Sequence, residues 1–170
     1  MAKDLRPLGN PGSEDFRVDA YPFYLLNRAV SRYNVVIEAE LRALGIDIPT
    51  WRVLMILGEQ SPLAIGQVAR SAVINLSTMM RIVERMAKAG LVQTQPSAQD
   101  GRITELLLTD VGREKLAAAR GVTAPIYERV TKGFSAADFS RLLTLLNRLY
   151  ENWDSGGGRS DPVLQFCRCG

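Results

Sequence analysis

The sequence predicts a mainly α-helical fold with a small β-wing. It reads as a winged helix-turn-helix held between N- and C-terminal helices. Three observations lead there. Residues 63–109 fall into a short helix, a turn, a second helix and then two extended runs around a polar tip. Apolar residues recur at three-or-four spacing over long segments on either side of that unit. Glycines and capping residues stand where those segments must start and stop.

In chain order, residues 1–18 hold Pro7, Gly9, Pro11 and Gly12 without a period, and read as a flexible N-terminal arm. The first long helix is expected from Asp19, as N-cap, to Leu44, with Gly45 ending it. Its apolar stripe is Phe23, Leu26, Val30, Tyr33, Ile37, Leu41 and Leu44. Tyr24, Arg28 and Arg32 form a second stripe, four residues apart. That stripe could line a pocket for an aromatic acid, or be a solvated face with arginine stems lying on apolar neighbours. Asp47 is expected to cap a second helix with Pro49 in its first turn. Trp51, Leu54, Met55 and Leu57 of that helix face a core or a pocket, and Arg52 is placed either to pair with a carboxylate or to lie at the surface.

The helix-turn-helix is predicted from Ile65–Arg70, a turn over Ser71–Ile74, and a second helix opened by Asn75 as N-cap. Leu76, Met79, Val83 and Met86 are the expected buried stripe of the second helix. Ser77, Thr78, Arg81 and Arg85 fall on another face. Short hydroxyls and guanidinium groups suit phosphates and base edges, and Arg can pair bidentately with guanine. Gly90 stops the helix. Leu91–Pro96 and Ile103–Thr109 are two strand candidates around Ser97–Arg102, a tip that could place Arg102 in a minor groove. Thr109 then caps a helix reaching about Lys132, with a kink or break expected near Thr123–Ala124 because Pro125 follows. Gly133 ends it. Ser135 and Asp138 resemble a capping box that opens a last helix, Ala136 to Trp153. The apolar arc of that helix is wider than one helix buries in its own domain, which points to packing against a second copy.

Three local patterns resemble the MarR family of winged helix-turn-helix transcription regulators. Ser77-Thr78-x-x-Arg81-x-Val83-x-Arg85-Met86 resembles its recognition helix, Asp100-Gly101-Arg102 its wing, and Leu108-Thr109-Asp110-x-Gly112-Arg113 the step from wing to helix. The likeness runs from about Phe23 to Trp153. It implies a homodimer that binds double-stranded DNA at an inverted-repeat operator. Many members repress transcription and release DNA on binding a small, often aromatic, molecule. The resemblance implies Asn75, Ser77, Thr78, Arg81, Arg85, Asp100 and Arg102 as DNA-binding residues. Arg85 would be on phosphate, and Asp100 would hold the wing by pairing with a nearby Arg. Trp51-Arg52 resembles the helix that often borders the ligand site. With Tyr24, Arg28 and Arg32 these residues form the candidate pocket for an aromatic carboxylate. One departure is Ala64, where the family often has a capping Thr or Ser, a loss of about 1 kcal/mol locally.

The domain organisation expected is a flexible arm over 1–18, dimerisation helices over 19–46 and 110–153, a winged helix-turn-helix DNA-binding domain over 47–109, and a flexible C-terminal tail over 154–170. Composition bounds the function. The net charge of +3 permits an anionic partner without demanding one. Histidine is absent, which removes Ser-His-Asp and Cys-His catalysis and imidazole zinc sites. Glu38, Glu40 and Glu59 form no acid–base constellation, so no enzyme, cofactor or metal is expected. Cys167 and Cys169 leave a redox- or metal-responsive regulator as an alternative, although two thiols do not complete a tetrahedral site. A winged-helix module that binds protein is the other. No run of about 18 apolar residues exists and Met1–Arg6 lacks a signal-peptide core, so the expectation is a cytoplasmic protein.

Overall fold

A computed structural model of the chain describes residues 4–154. The expectations for the C-terminal tail beyond Asp154, Cys167 and Cys169 among them, lie outside those residues. The stretch expected as a flexible arm carries a turn of helix, α1 (Arg6–Gly9), and a 3-10 turn over Val18–Ala20. The Arg17 amide joins them by donating to the Leu8 carbonyl at 2.8 Å. Asp19 lies inside the 3-10 turn and pairs with Arg17 at 2.7 Å, so it is not the N-cap expected of it. The long helix α2 (Pro22–Ala43) starts three residues later, because Pro22 has its φ preset for a first helical position and no N–H to satisfy. It ends as expected at Gly45, whose φ of 72° suits a residue without Cβ. Helix α3 (Ile48–Glu59) follows, with the Asp47 carboxylate accepting the Thr50 amide at 2.9 Å.

A two-residue strand β1 (Leu63–Ala64), absent from the sequence reading, leads into α4 (Ile65–Ser71). The Ala64 cap has no side-chain acceptor. Gln67 supplies the other half of a capping box, its side-chain oxygen accepting the Ala64 amide at 3.2 Å. Helix α5 (Leu76–Lys88) and the strands β2 (Val92–Pro96) and β3 (Thr104–Leu108) complete the unit. The sheet is antiparallel in the order β1-β3-β2, with Leu63 opposite Leu106 and Val92 opposite Leu108. The ribbon therefore has a third strand along one edge of β3, which covers backbone groups that would otherwise be unpaired.

Helix α6 (Asp110–Thr131) is capped by the Thr109 hydroxyl, which accepts the Gly112 amide at 2.9 Å. Of the kink or break expected near Thr123–Ala124, a break does not occur; the helix runs through Pro125. The carbonyl that Pro125 leaves without a helical donor belongs to Gly121, and both residues are exposed, so water can satisfy it. Gly133 ends the segment at φ 91°. Ser135 and Asp138 form the reciprocal box, with the Asp138 amide on Ser135 Oγ at 3.1 Å and the Ser135 hydroxyl on the carboxylate at 2.6 Å. Helix α7 (Ala136–Asp154) follows.

One apolar core joins these pieces. Ile37 and Leu41 of α2, Leu54 and Leu57 of α3, Val68 of α4, Met79 and Met86 of α5, Leu106 of β3 and Leu116 of α6 all lie in it. Leu76, expected in the buried stripe, is 54% exposed, and Ile82 takes its place. The reason is position: Ser77 and Thr78 are exposed as well, so the first turn of α5 projects past the core. No side chain of α7 is classed as buried among residues 136–153, and Leu142, Leu143, Leu145 and Trp153 stand at the surface.

The step from wing to α6 needs a glycine. A Cβ on Gly112 would lie 2.0 Å from the Leu91 carbonyl oxygen, a backbone atom that cannot move alone. A Cβ on Gly58 would meet only the end of the Leu116 side chain. The contrast predicts that Gly112→Ala costs about 1–3 kcal/mol or more and Gly58→Ala less. Urea denaturation of the two variants checks this, and equal costs would refute the backbone argument.

Candidate nucleic-acid interface

The candidate DNA-reading face is built from the turn before α5 and the first turns of that helix. Val73, at φ 55°, closes the turn, with the Val73 amide on the Arg70 carbonyl at 3.0 Å and the Ile74 amide on that of Ala69 at 2.9 Å. Asn75 then caps α5. Its side-chain oxygen accepts the Thr78 amide at 2.8 Å and the Ser77 hydroxyl at 2.9 Å. That oxygen is committed to holding the helix start. Ser77, Thr78 and Arg81 are exposed. Arg81 has no ion-pair partner among the described residues. Further along, Lys88 pairs with Glu84 at 2.8 Å, and that bond holds the Glu84 carboxyl below its ordinary range.

Arg85 does not stand free for a phosphate as expected. Its guanidinium donates to the Asp47 carboxylate at 2.6 Å and to the Thr50 hydroxyl at 3.2 Å. The same carboxylate that caps α3 thus anchors the C-terminal half of α5. Partial burial pushes the Asp47 carboxyl up, but the Thr50 hydroxyl and amide and the Arg85 charge together bring it below its ordinary value.

At the wing tip the Ser97 amide donates to the Ile103 carbonyl at 2.8 Å and the Ile103 amide to that of Asp100 at 2.9 Å. The Asp100 carboxylate accepts the backbone amide of Arg102 at 3.0 Å. Asp100 therefore shapes the tip through a main-chain bond, and the ion pair expected for it is not formed. The Arg102 side chain is left exposed at the tip without an ion-pair partner among the described residues.

The five candidate ligand residues are not brought together. Arg28 lies over the Tyr24 ring at 5.5 Å to the centroid, an intrahelical cation–π pair on the exposed start of α2. Arg32 lines a groove between α2 and α6. Arg52 points toward the helix-turn-helix, its guanidinium on the Ala72 carbonyl at 3.5 Å. Only Trp51 reaches a cavity where α2, α3 and α6 meet. That cavity, about 640 Å³, is lined by Tyr33, Trp51, Met55, Glu59, Arg120 and Tyr127, with Thr123 and Ala124. The indole Nε1 of Trp51 is buried and donates to nothing among the described residues. Arg120 and Tyr127 escaped the sequence reading because α6 was judged by its apolar face alone. Tyr33 belongs to the apolar stripe expected of α2. Among the described residues no group of three or more His, Cys, Asp or Glu could hold a metal ion, and no helix is long and apolar enough to cross a membrane.

Comparison with known proteins agrees with this geometry. The sequence profile of the MarR family matches residues 44–103. The HTH-type transcriptional repressor IacR of Pseudomonas putida is 37% identical over 146 residues, covering 86% of this chain and 87% of its own. A MarR-family transcriptional regulator from Silicibacter pomeroyi superposes with a TM-score of 0.75 at 25% identity, over 94% of this chain and 100% of its own. The fold is also that of BpsR from Bordetella bronchiseptica, at a TM-score of 0.67 and 20% identity, over 76% of this chain and 92% of its own. The structure of BpsR is described as the mechanism by which 6-hydroxynicotinic acid regulates its DNA binding.

The Asp47–Arg85 pair has a pH signature. Asp47→Asn keeps a capping oxygen and removes the charge. Since the folded carboxyl titrates below the free value of about 3.9, its contribution is whole above that value and is lost as pH falls through the lower, folded one. The pair is partly solvated, so the variant is expected to be only about 0.2–1 kcal/mol less stable than the parent near neutral pH. The gap should close below about pH 4. Chemical denaturation from pH 7 to pH 3 reads this; a gap that stays constant would assign the effect to something other than the charge.

Proposed function

Since this chain belongs to the MarR family of transcriptional regulators, we propose that it is a cytoplasmic repressor that binds an inverted-repeat operator as a homodimer and is released by a small aromatic carboxylate. Family members are transcriptional regulators rather than enzymes, and the repressor relative spans most of the chain. The observation that carries the DNA reading is the pairing of two exposed, unpartnered guanidinium groups, Arg81 on α5 and Arg102 at the wing tip. Arg81, Ser77 and Thr78 read the major groove, Arg102 enters the minor groove, and Asn75 and Asp100 hold the two elements in shape. Arg85 serves by keeping α5 on α3 rather than by touching phosphate.

The dimer and the domain division are part of the proposal. The exposed apolar residues of α2, the end of α6 and α7, with Phe23, Leu25, Val30, Val130, Leu143 and Leu145 among them, support a two-fold interface outside the DNA-binding unit at 47–109. Such a dimer places two recognition helices about one DNA turn apart or a multiple of it.

The cavity at Trp51 supports an anionic aromatic effector. Tyr33 and Tyr127 offer ring faces, Arg120 a charge, and Trp51 Nε1 a donor that is costly to leave buried and unmatched. That BpsR is regulated by an aromatic carboxylic acid supports the same class of ligand here. The acid acts by preferring one spacing of the recognition helices, and weakens operator binding only to the extent of that preference.

Fluorescence anisotropy with duplex DNA from upstream of the coding sequence, at two salt concentrations and with a scrambled competitor, tests the reading. Binding should survive the competitor and fall steeply with salt. Arg81→Ala should cost about 1–3 kcal/mol of specific binding for each half-site, and Arg102→Ala should lower the salt slope by about 1 for each half-site, about 2 for the dimer. Salt-insensitive or competitor-sensitive binding would favour a protein-binding module instead. A panel of benzoates, nicotinates and indole acids then tests the effector. Trp51→Phe should weaken binding of the active acid roughly two- to tenfold, the worth of one hydrogen bond, and leave operator affinity unchanged. If no acid in the panel binds by calorimetry, the aromatic-carboxylate part is wrong.

A further inference from the structure

The DNA-reading half of α5 carries apolar side chains that the polar reading leaves unused. Leu76 is 54% exposed, Met80 51%, and Val73 in the preceding turn 85%. Large apolar residues so open to water on the leading edge of a recognition element call for an explanation, since none of the described residues covers them. Leu76 and Met80 are four residues apart and so share one stripe of the helix. Ser77 and Arg81, also four apart, form the stripe beside it. The buried residues Met79, Ile82, Val83 and Met86 lie opposite the Ser77–Arg81 stripe, so the Leu76–Met80 stripe stands between the core and the polar face.

A protein partner would need a broader apolar patch than this narrow stripe. The apolar stripe runs directly beside one that carries a hydroxyl and a guanidinium, which is the pattern of a surface that meets small apolar groups set among acceptors. The major groove presents such groups: the C5-methyl of thymine projects from an edge otherwise made of hydrogen-bonding atoms, close to phosphates that suit Arg. The dipole of α5 adds positive potential at the same end of the helix.

We propose that Leu76 and Met80, with Val73 beside them, are specificity residues that read thymine methyl groups in the operator. Four residues advance about 6 Å along a helix, close to two base-pair steps of about 3.4 Å. Each half-site therefore carries two A·T pairs one or two steps apart, next to the guanine read by Arg81. This rests on the DNA-binding reading above and adds to it the base identity that the polar residues do not fix.

The test starts from duplexes selected out of a random pool by the full chain. Uracil is then substituted for thymine at each position of the selected half-site, which removes the methyl and leaves every hydrogen bond. Parent protein should lose about fourfold in affinity for each methyl it covers, the transfer value of one methylene. Leu76→Ala and Met80→Ala should each lose that sensitivity at one position, binding the thymine and uracil duplexes alike there. Both residues are exposed, so neither variant threatens the fold. An enriched half-site without fixed A·T pairs overturns the proposal. So does a half-site in which uracil is tolerated everywhere, or one in which the variants remain as sensitive as the parent. Selection that enriches no site overturns the DNA-binding reading itself.

Discussion

The arrangement depends on how the end of α5 is locked to the start of α6. The Leu91 amide donates to the Met86 carbonyl at 2.9 Å, closing α5 past Gly90. The Leu91 carbonyl accepts the Thr109 amide at 3.2 Å, and the Thr109 hydroxyl donates to the Gly90 carbonyl at 2.6 Å. Gly112 lies against the same carbonyl where no Cβ could fit. Two residues after the recognition helix therefore satisfy its last turn, start β2 and seat α6 together. The wing cannot move independently of α6, because both of its strands begin or end at this joint.

A second tie, Arg85 to Asp47 and Thr50, fastens the same half of α5 to α3. The helix is thus divided in function along its length. Its C-terminal half is tied to α3 and runs into the sheet, and its first turn, beginning at the Asn75 cap, projects past the core. Trp51 sits one turn from Asp47 on α3. In the proposed mechanism, a ligand that shifts α3 or α6 from the cavity would act on α5 through these short polar contacts as well as through the shared core. This is the mechanical condition for changing the spacing of two recognition helices with one small molecule, since the coupling must run through elements with few alternative arrangements.

The parts of this legible in the sequence were those set by neighbours along the chain. Asn75, Asp47, Thr109 and the Ser135–Asp138 box act within three residues, so residue type and spacing reveal them. Gly45, Gly90 and Gly133 are legible for the same reason, each holding a positive φ that side chains avoid. What was not legible needed distant partners or competing local signals. Asp19 had the chemistry of a cap, but Arg17 lay closer and Pro22 offered a better start. Strand β1 has two residues, too few for any period, and exists because β3 has a free edge. Arg85 read as a phosphate contact because its partner Asp47 is far away in sequence and was already assigned to a cap. The ligand residues were chosen by chemical suitability on single helices, whereas a cavity is defined by where three helices meet.

The same division of α5 explains how a chain of net charge +3 can serve a polyanion. Toward the C-terminal end, Lys88 is matched by Glu84 and Arg85 by Asp47, so those charges cancel within the protein. Arg81, nearer the N-terminus, has no carboxylate to answer it among the described ion pairs, and it lies on the side of the helix where the macrodipole is positive. The wing repeats the device, for Asp100 spends its carboxylate on a main-chain amide and leaves the Arg102 guanidinium unneutralised. In the proposed reading, specific affinity comes from placing Arg81 and Arg102 correctly at once, which would tie DNA binding to the geometry that the joint at Leu91 and the Arg85 tie maintain.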